Sequence, residues 1–150
     1  MPNGRALDHD HYQYKLRWLA SLATHLGSRD PANHVVVGGD FNVAPSDLDV
    51  YDPSAFVGMT HVSEPEREAI RAIEASGFID LTRRLHPDAP SYSWWDYRNG
   101  AFHRGWGLRI DLLFVDQALA ELATASYVDR DARKGVKPSD HAPVVGEFAL

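Results

Sequence analysis

Between His9 and Leu26 the apolar side chains recur at helical intervals. Leu16, Leu19, Ala20, Ala23 and Leu26 form one stripe, and Lys15, Arg17 and His25 fall off it. That period predicts an amphipathic helix with Gly27 as its stop and "SRDPAN" as the loop beyond. The pattern then changes. His34 to Val37 is short, β-branched and without alternation, which predicts a strand buried on both faces. "NVAPSDLDVYDPSAF" carries too much proline and aspartate for regular structure. "SEPEREAIRAIEASG" returns to the helical period, opened by a capping box of Ser63 and Glu66 and closed by Gly77. "FIDLTRRL" reads as a short helical continuation. "SYSWWDY" is strand-like, "RNGAFHRGWG" a glycine-rich loop, and "LRIDLLFVD" a second buried strand. "QALAELA" is a short helix, "TASYVDR" a strand, "KGVKPSDHAP" a loop and "VVGEFAL" the closing strand. Helices and strands mix with no linker between them, so the fold class is α/β or α+β in one unit.

Composition narrows the function classes. A chain of 150 residues supports one domain with a core. It has no cysteine, so there is no disulfide framework and no thiolate metal site, and an intracellular, cytoplasmic setting fits. No apolar run approaches a membrane span, and "MPNGRALDHDHYQYK" lacks the apolar core of a signal peptide. The net charge of -6 argues against a broadly basic surface and leaves room for a local basic patch. There is no HExxH pair, GxxxxGK loop, GxSxG elbow or internal repeat.

Three strand-linked sites carry polar residues that packing alone does not explain. In "VVVGGDFNVAPSD", Asp40 and Asn42 follow a strand end. If the backbone stays extended, both side chains point to one spot while Phe41 turns into the core. Asp111 interrupts the apolar "LRIDLLFV". Asp140 and His141 precede the last strand in "PSDHAPVV". A carboxylate in an apolar strand needs a cation, a metal or a hydrogen-bonding partner. The plain structural reading is a turn aspartate, an edge-facing strand residue and a capped loop. Taken together, the three sites suit Mg²⁺ or Mn²⁺ and phosphodiester hydrolysis. Asp40 would orient or deprotonate water, Asn42 would donate to an oxyanion, and His141 would donate to a phosphate oxygen. Either Asp111 or Asp140 would set the His141 tautomer. Gly38 and Gly39 would let the backbone approach substrate closely.

"GDFNVAP", "SYSWWDYR", "GLRIDLL" and "PSDHAPV" occur in that order, and "PNGR…DHYQYKLRWL" precedes them. In these segments the chain resembles the exonuclease III family of abasic-site endonucleases, within the endonuclease/exonuclease/phosphatase superfamily. The resemblance implies half of a four-layer α/β sandwich, a mixed, mostly antiparallel sheet backed by helices. It implies metal-dependent (Mg²⁺ or Mn²⁺) cleavage of double-stranded DNA 5′ to abasic sites, with trimming of 3′ ends. Asp40 would position the nucleophilic water and Asn42 would support it and the phosphate. Asp111 would orient His141, and His141 would contact the scissile phosphate. Asp140 would sit on the metal side with Asp40 and Asn42. Asn3 matches a phosphate-contacting asparagine, and Trp94 and Leu108 match an apolar pocket for a flipped-out abasic sugar. Arg109, in the same "GLRID" segment, is a candidate substrate-binding cation. Arg83, Arg84, Arg98, Arg104, Lys134 and Lys137 are further cations near the motif loops. "DHDHY" reads as a solvated first helical turn, and "DRDARKG" is rejected as a calcium loop because Arg133 stands at a ligand position.

The resemblance covers only the family's second half. The tyrosine ahead of "PNG" and a metal-binding glutamate and an asparagine further upstream have no counterpart. The expectation is a single partial domain that lacks an N-terminal half, with the inner face of its sheet uncovered and weak metal binding resting on Asp140. Two alternatives stand beside this: another phosphodiesterase of the superfamily, or a non-catalytic remnant or subunit completed by a separate N-terminal half.

Overall fold

The computed structural model describes residues 1–30 and 34–149. The end of the "SRDPAN" loop and the final Leu150 lie outside them. The first helix, α1 (Asp10–Gly27), carries the apolar stripe, and the His9 ring accepts from the His11 N–H at 3.0 Å to cap it. The second, α2 (Glu64–Ala75), opens on the expected capping box of Ser63 and Glu66 and has Pro65 in its first turn.

The central strand is β5 (Asp111–Asp116). It pairs antiparallel with β1 (Val36–Asp40) on one side and β2 (Phe78–Asp80) on the other, giving the order β1-β5-β2. Directly opposed residues share a face. Val37 and Gly39 of β1 therefore lie with Phe114 and Leu112, and this face carries the core. Leu19 and Leu26 of α1 and Ile70 and Ile73 of α2 pack onto Leu112, Phe114 and Phe41. The Phe41 and Phe114 rings meet edge-on at 5.3 Å. Each such side chain contributes about 1.5–3 kcal/mol by leaving water.

The other face carries Val36, Gly38 and Asp40 opposite Val115, Leu113 and Asp111. It is covered only in part. Leu81 of α3 (Leu81–Leu85), with Leu119 and Ala120 of α5 (Gln117–Leu122), seals Val115 at one end. Towards Asp40 the face is open: Gly38, two residues before Asp40 on the same face, is exposed and lines a groove with Leu113 and Asp111. The expectation of a β1 buried on both faces is thus corrected: α1 and α2 cover one face of β1, and on the other Val36 is 49% exposed.

Two further pairs complete the fold. These are β3 (Trp94–Trp95) with β4 (Gly107–Leu108), and β6 (Ala123–Val128) with β7 (Val144–Phe148), both antiparallel. Gly107 is required where it stands, since a Cβ there would lie 2.5 Å from Nε1 of the buried Trp95. Two local expectations change. "FIDLTRRL" is not one helix: Gly77, at φ +97°, turns the chain so that Phe78–Asp80 forms an edge strand before α3 begins. "RNGAFHRGWG" is not all loop, because a helical turn, α4 (Ala101–Arg104), sits between left-handed Gly100 and Gly105. "NVAPSDLDVYDPSAF" forms two short 3₁₀ turns and a single antiparallel bridge from Val50 to Leu108. Among the described residues no helix is long and apolar enough to cross a membrane.

Candidate active site

β1 delivers Asp40 to the open face, directly opposite Asp111 of β5. The chain does not stay extended after it. Asn42 takes φ +52°, a left-handed conformation that asparagine tolerates. The turn folds Asn42 back onto Asp40: its backbone N–H donates to Oδ1 at 2.8 Å and its Nδ2 donates to Oδ2 at 2.7 Å. The two side chains converge as expected, but through a side-chain-to-backbone turn rather than strand alternation. Phe41 is buried between them, also as expected.

Two opposed carboxylates repel unless something compensates them. His141 does so, with Nδ1 lying 2.8 Å from Asp111 Oδ2. A carboxylate accepts, so Nδ1 carries the proton and Nε2 is the free ring nitrogen. This settles the alternative left open by the sequence, because Asp111 and not Asp140 holds the histidine. Ser93, wholly buried, donates to the same Asp111 oxygen at 2.6 Å and accepts from the Asp111 N–H at 3.0 Å. The "SDH" segment is laid along "SWW" by backbone bonds from Trp95 N–H to the Asp140 carbonyl (3.0 Å) and from Ala142 N–H to the Ser93 carbonyl (2.7 Å). The Trp94 indole N–H donates to Asp140 Oδ2 at 2.9 Å.

The electrostatics follow. Burial pushes the Asp40 carboxyl up; the Asn42 backbone hydrogen bond opposes this, and the charge of Asp111 adds to it. The hydrogen bond to Asp111 raises the His141 imidazole above the ordinary histidine range, against the effect of burial. The site thus sets a carboxylate of enhanced basicity beside an imidazole that holds its proton more firmly than an ordinary histidine.

Asp40, Asn42, Asp140 and His141 line one cleft of about 400 Å³, together with Asn3 and Trp94. A second cavity of about 550 Å³ shares Asn3 and Trp94 and is walled by Tyr51, Trp106 and Leu108, so the two expected pocket residues do face one space. Of the paired tryptophans, Trp95 is buried and Trp94 half-buried. Asn3 Nδ2 donates to Asn42 Oδ1 at 3.1 Å. Gly38 and Gly39 are exposed and line a neighbouring groove with Asp111 and His141.

Arg109 is a correction. It is 1% exposed, with Nε donating to Asp49 Oδ1 at 2.6 Å and Nη1 to Asp80 Oδ2 at 2.8 Å. Its charge is spent inside the fold and does not reach substrate. Arg83 is drawn to the same Asp49, Arg98 to Asp96 and Lys134 to Asp131, so much of the expected basic set is paired. Arg133, the residue that ruled out a calcium loop, is packed against the Phe102 ring at 4.5 Å.

Among the described residues, the group of three acidic or histidine side chains whose ligand atoms lie within 4.8 Å of one another is Asp40, Asp111 and His141. Asp140, the expected main ligand, lies outside this group and gives one oxygen to Trp94. The donors facing the cleft are chiefly hard carboxylate and amide oxygens, which fit a divalent ion that keeps much of its water. Sequence reading missed Ser93, Lys15 and His61. The His61 Nδ1 lies 2.6 Å from the Asn42 carbonyl, and its ring lines both cavities. None of the three stands in a pattern that marks it, because their partners are remote in sequence.

A family model described as "Endonuclease/Exonuclease/phosphatase family" matches residues 3–141, which takes in every site residue from Asn3 to His141. The chain belongs to that family. Within it, the resemblance is to the exonuclease III branch. The chain is 35% identical over 156 residues to exodeoxyribonuclease III of Haemophilus influenzae, covering 98% of itself and 58% of that protein. It superposes on an AP endonuclease from Archaeoglobus fulgidus with a TM-score of 0.95 at 38% identity, over 99% of itself and 59% of that chain. It also matches a 3′ phosphatase from Neisseria, solved with a product DNA hairpin, with a TM-score of 0.94 at 38% identity, over 99% of itself and 58% of that chain. The chain therefore spans about three-fifths of the length of these family members.

Proposed function

We propose that the chain carries the phosphoryl-hydrolysing site of a DNA repair phosphodiesterase of the exonuclease III type, acting at abasic sites and 3′ ends of double-stranded DNA. The observation that carries this reading is the meeting of Asp40, held by Asn42, with the Asp111–His141 pair beside one cleft. Asp40, with its carboxyl raised, accepts a proton from the attacking water. Asn42 gives Asp40 its aim, since its amide donates to one carboxylate oxygen and its backbone to the other. His141, fixed through Nδ1, aims Nε2 at a phosphate oxygen and donates to it in the protonated ring, the form that the hydrogen bond to Asp111 favours. Asp40, with Asn42 and Asp140 lining the same cleft, would hold Mg²⁺ or Mn²⁺, which would supply charge neutralisation at the phosphoryl oxygens. Trp94 and Leu108 wall the cavity that receives the sugar. A DNA-associated, intracellular place of action accompanies this reading.

The test is incubation of the purified chain and Mg²⁺ with an abasic-site duplex and, separately, a duplex ending in a 3′-phosphate. Hydrolysis of at least one is expected, lost in both Asp40→Asn and His141→Ala. Unchanged turnover in both variants overturns the residue roles. One alternative has its own support: the sheet face beside Asp40 is open and the relatives are longer. On this reading the chain is a subunit that turns over DNA only when the preceding part of a family relative is supplied. A wild-type chain that is inert alone and active after that addition would establish it.

A further inference from the structure

Lys15 lies off the apolar stripe of α1 yet is completely buried. Its Nζ donates to the Asn42 carbonyl at 2.6 Å and to the Asn3 carbonyl at 3.3 Å, approaches Thr60 Oγ1 at 3.5 Å, and pairs with Glu66 Oε1. An ammonium has three protons, so none remains for substrate. Glu66 is equally occupied: Oε1 accepts from the Thr60 hydroxyl at 2.7 Å, and Oε2 accepts from the Ser63 hydroxyl at 2.6 Å and N–H at 3.1 Å.

Helix packing does not call for this arrangement. Apolar residues of similar size usually hold two helices at least as well as a buried ion pair, which costs desolvation. The pair does something a leucine cannot, because it gathers carbonyls. Both backbone carbonyls it takes belong to site asparagines. The side chains of those asparagines bond to each other, and Asn42 in turn bonds to Asp40. The Asn42 carbonyl takes a second contact from His61 Nδ1, so a left-handed residue is held at its oxygen from two sides. The N-terminal segment lies directly on the pair. Gly4, at φ +94°, has no room for a side chain, since a Cβ would fall 2.9 Å from Thr60 Oγ1 and 3.1 Å from Lys15 Cδ.

We propose that Lys15 is a positioning residue: with Glu66 it forms a buried clamp that sets Asn3 and Asn42, and through Asn42 aims Asp40. The kinetic side of this inference rests on the hydrolytic function proposed above. The experiment compares wild type, Lys15→Met and Lys15→Met/Glu66→Gln. The single variant leaves Glu66 charged and unpaired, and its melting temperature falls by roughly 10 °C or more. The double variant removes both charges while a glutamine still serves Ser63, and its melting temperature returns most of the way. In both variants kcat stays about 100-fold low with KM nearly unchanged, the signature of a misaimed group. The ¹⁵N side-chain amide signals of Asn3 and Asn42 shift or broaden in both. If the single variant does not fold, the double variant carries the test. Recovery of kcat together with melting temperature in the double variant makes the pair merely structural and overturns the proposal, as do unmoved asparagine amide signals. If wild type hydrolyses neither DNA, the functional reading fails and the amide signals alone decide the clamp.

Discussion

Two pairs of aspartates stand around "LRID", and they have opposite fates. Asp49 and Asp80 enclose Arg109, whereas Asp40 and Asp111 meet His141. Arg109 and Asp111 are only two residues apart. In the first group the cation is permanent, the carboxylates are almost fully buried, and Arg109 donates to both of them while Ser46 takes the second Asp49 oxygen. Burial alone would raise the Asp49 carboxyl, but the charge and hydrogen bonds of Arg109, helped by Ser46 and Arg83, hold it below the ordinary range. In the second group the cation paired with Asp111 is a titratable ring, the cleft is open to water, and the Asp40 carboxyl moves up. A carboxylate fully matched by arginine is architecture. One matched by histidine and left partly wet keeps a proton affinity that chemistry can use.

The comparison breaks most readily at Asp40. Asp40→Asn should cut DNA hydrolysis by about 10³-fold or more without unfolding the chain. The sign follows from the raised carboxyl: the folded chain favours the protonated form, so ionised Asp40 costs stability as pH rises through its folded pKa. The amide removes that cost but offers Asn42 one acceptor where the carboxylate offered two, so the two effects oppose and the melting temperature at about neutral pH should change by no more than a few degrees. Unfolding of this variant would make Asp40 structural after all.

Arg109→Met is the converse. It strands Asp49 and Asp80 in the interior and should cost about 3–5 kcal/mol in denaturant unfolding, with turnover per folded molecule largely kept. The wild type should also lose stability as pH falls through the lowered pKa of Asp49, since a depressed carboxyl stabilises only while ionised. That acid limb should flatten in the variant. Smaller again is Asp111→Asn. It should bring the His141 pKa down towards the ordinary histidine range, read by NMR titration, and lower turnover about tenfold through loss of ring orientation. In the wild type the His141–Asp111 contribution is full below the ordinary histidine pKa and fades as pH rises through the raised one, so the variant should lose stability mainly at mildly acidic pH. At the bottom of the scale, Arg98→Ala breaks a pair whose arginine side chain is 82% exposed and should leave melting unchanged within error.

How much of this was legible beforehand varied with the reach of the interactions. The capping box of α2, the buried strand at β5 and the meeting of Asp40 with Asn42 all follow from residues a few positions apart. Even there, the left-handed turn at Asn42 was invisible, because asparagine accepts both conformations and only the folded contacts choose. "FIDLTRRL" was misread because eight residues are too few to separate two periods, and the pairing of Ile79 with Val115 decides the matter from afar. Arg109 looked like a substrate cation since nothing local shows that Asp49, sixty positions away, already claims it. Lys15 hid for the same reason behind Glu66.

The bond from the Trp94 indole to Asp140 has a practical consequence. An indole's emission energy follows the electric field along its long axis, and here a carboxylate of the cleft is tied directly to the ring nitrogen. Any ion or phosphate that changes the charge felt at Asp140 is therefore reported in light. Of the chain's four tryptophans only Trp94 carries that link among the described residues, so the difference between wild-type and Trp94→Phe spectra isolates it. The protein comes with its own gauge of occupancy, readable without label, substrate turnover or crystal.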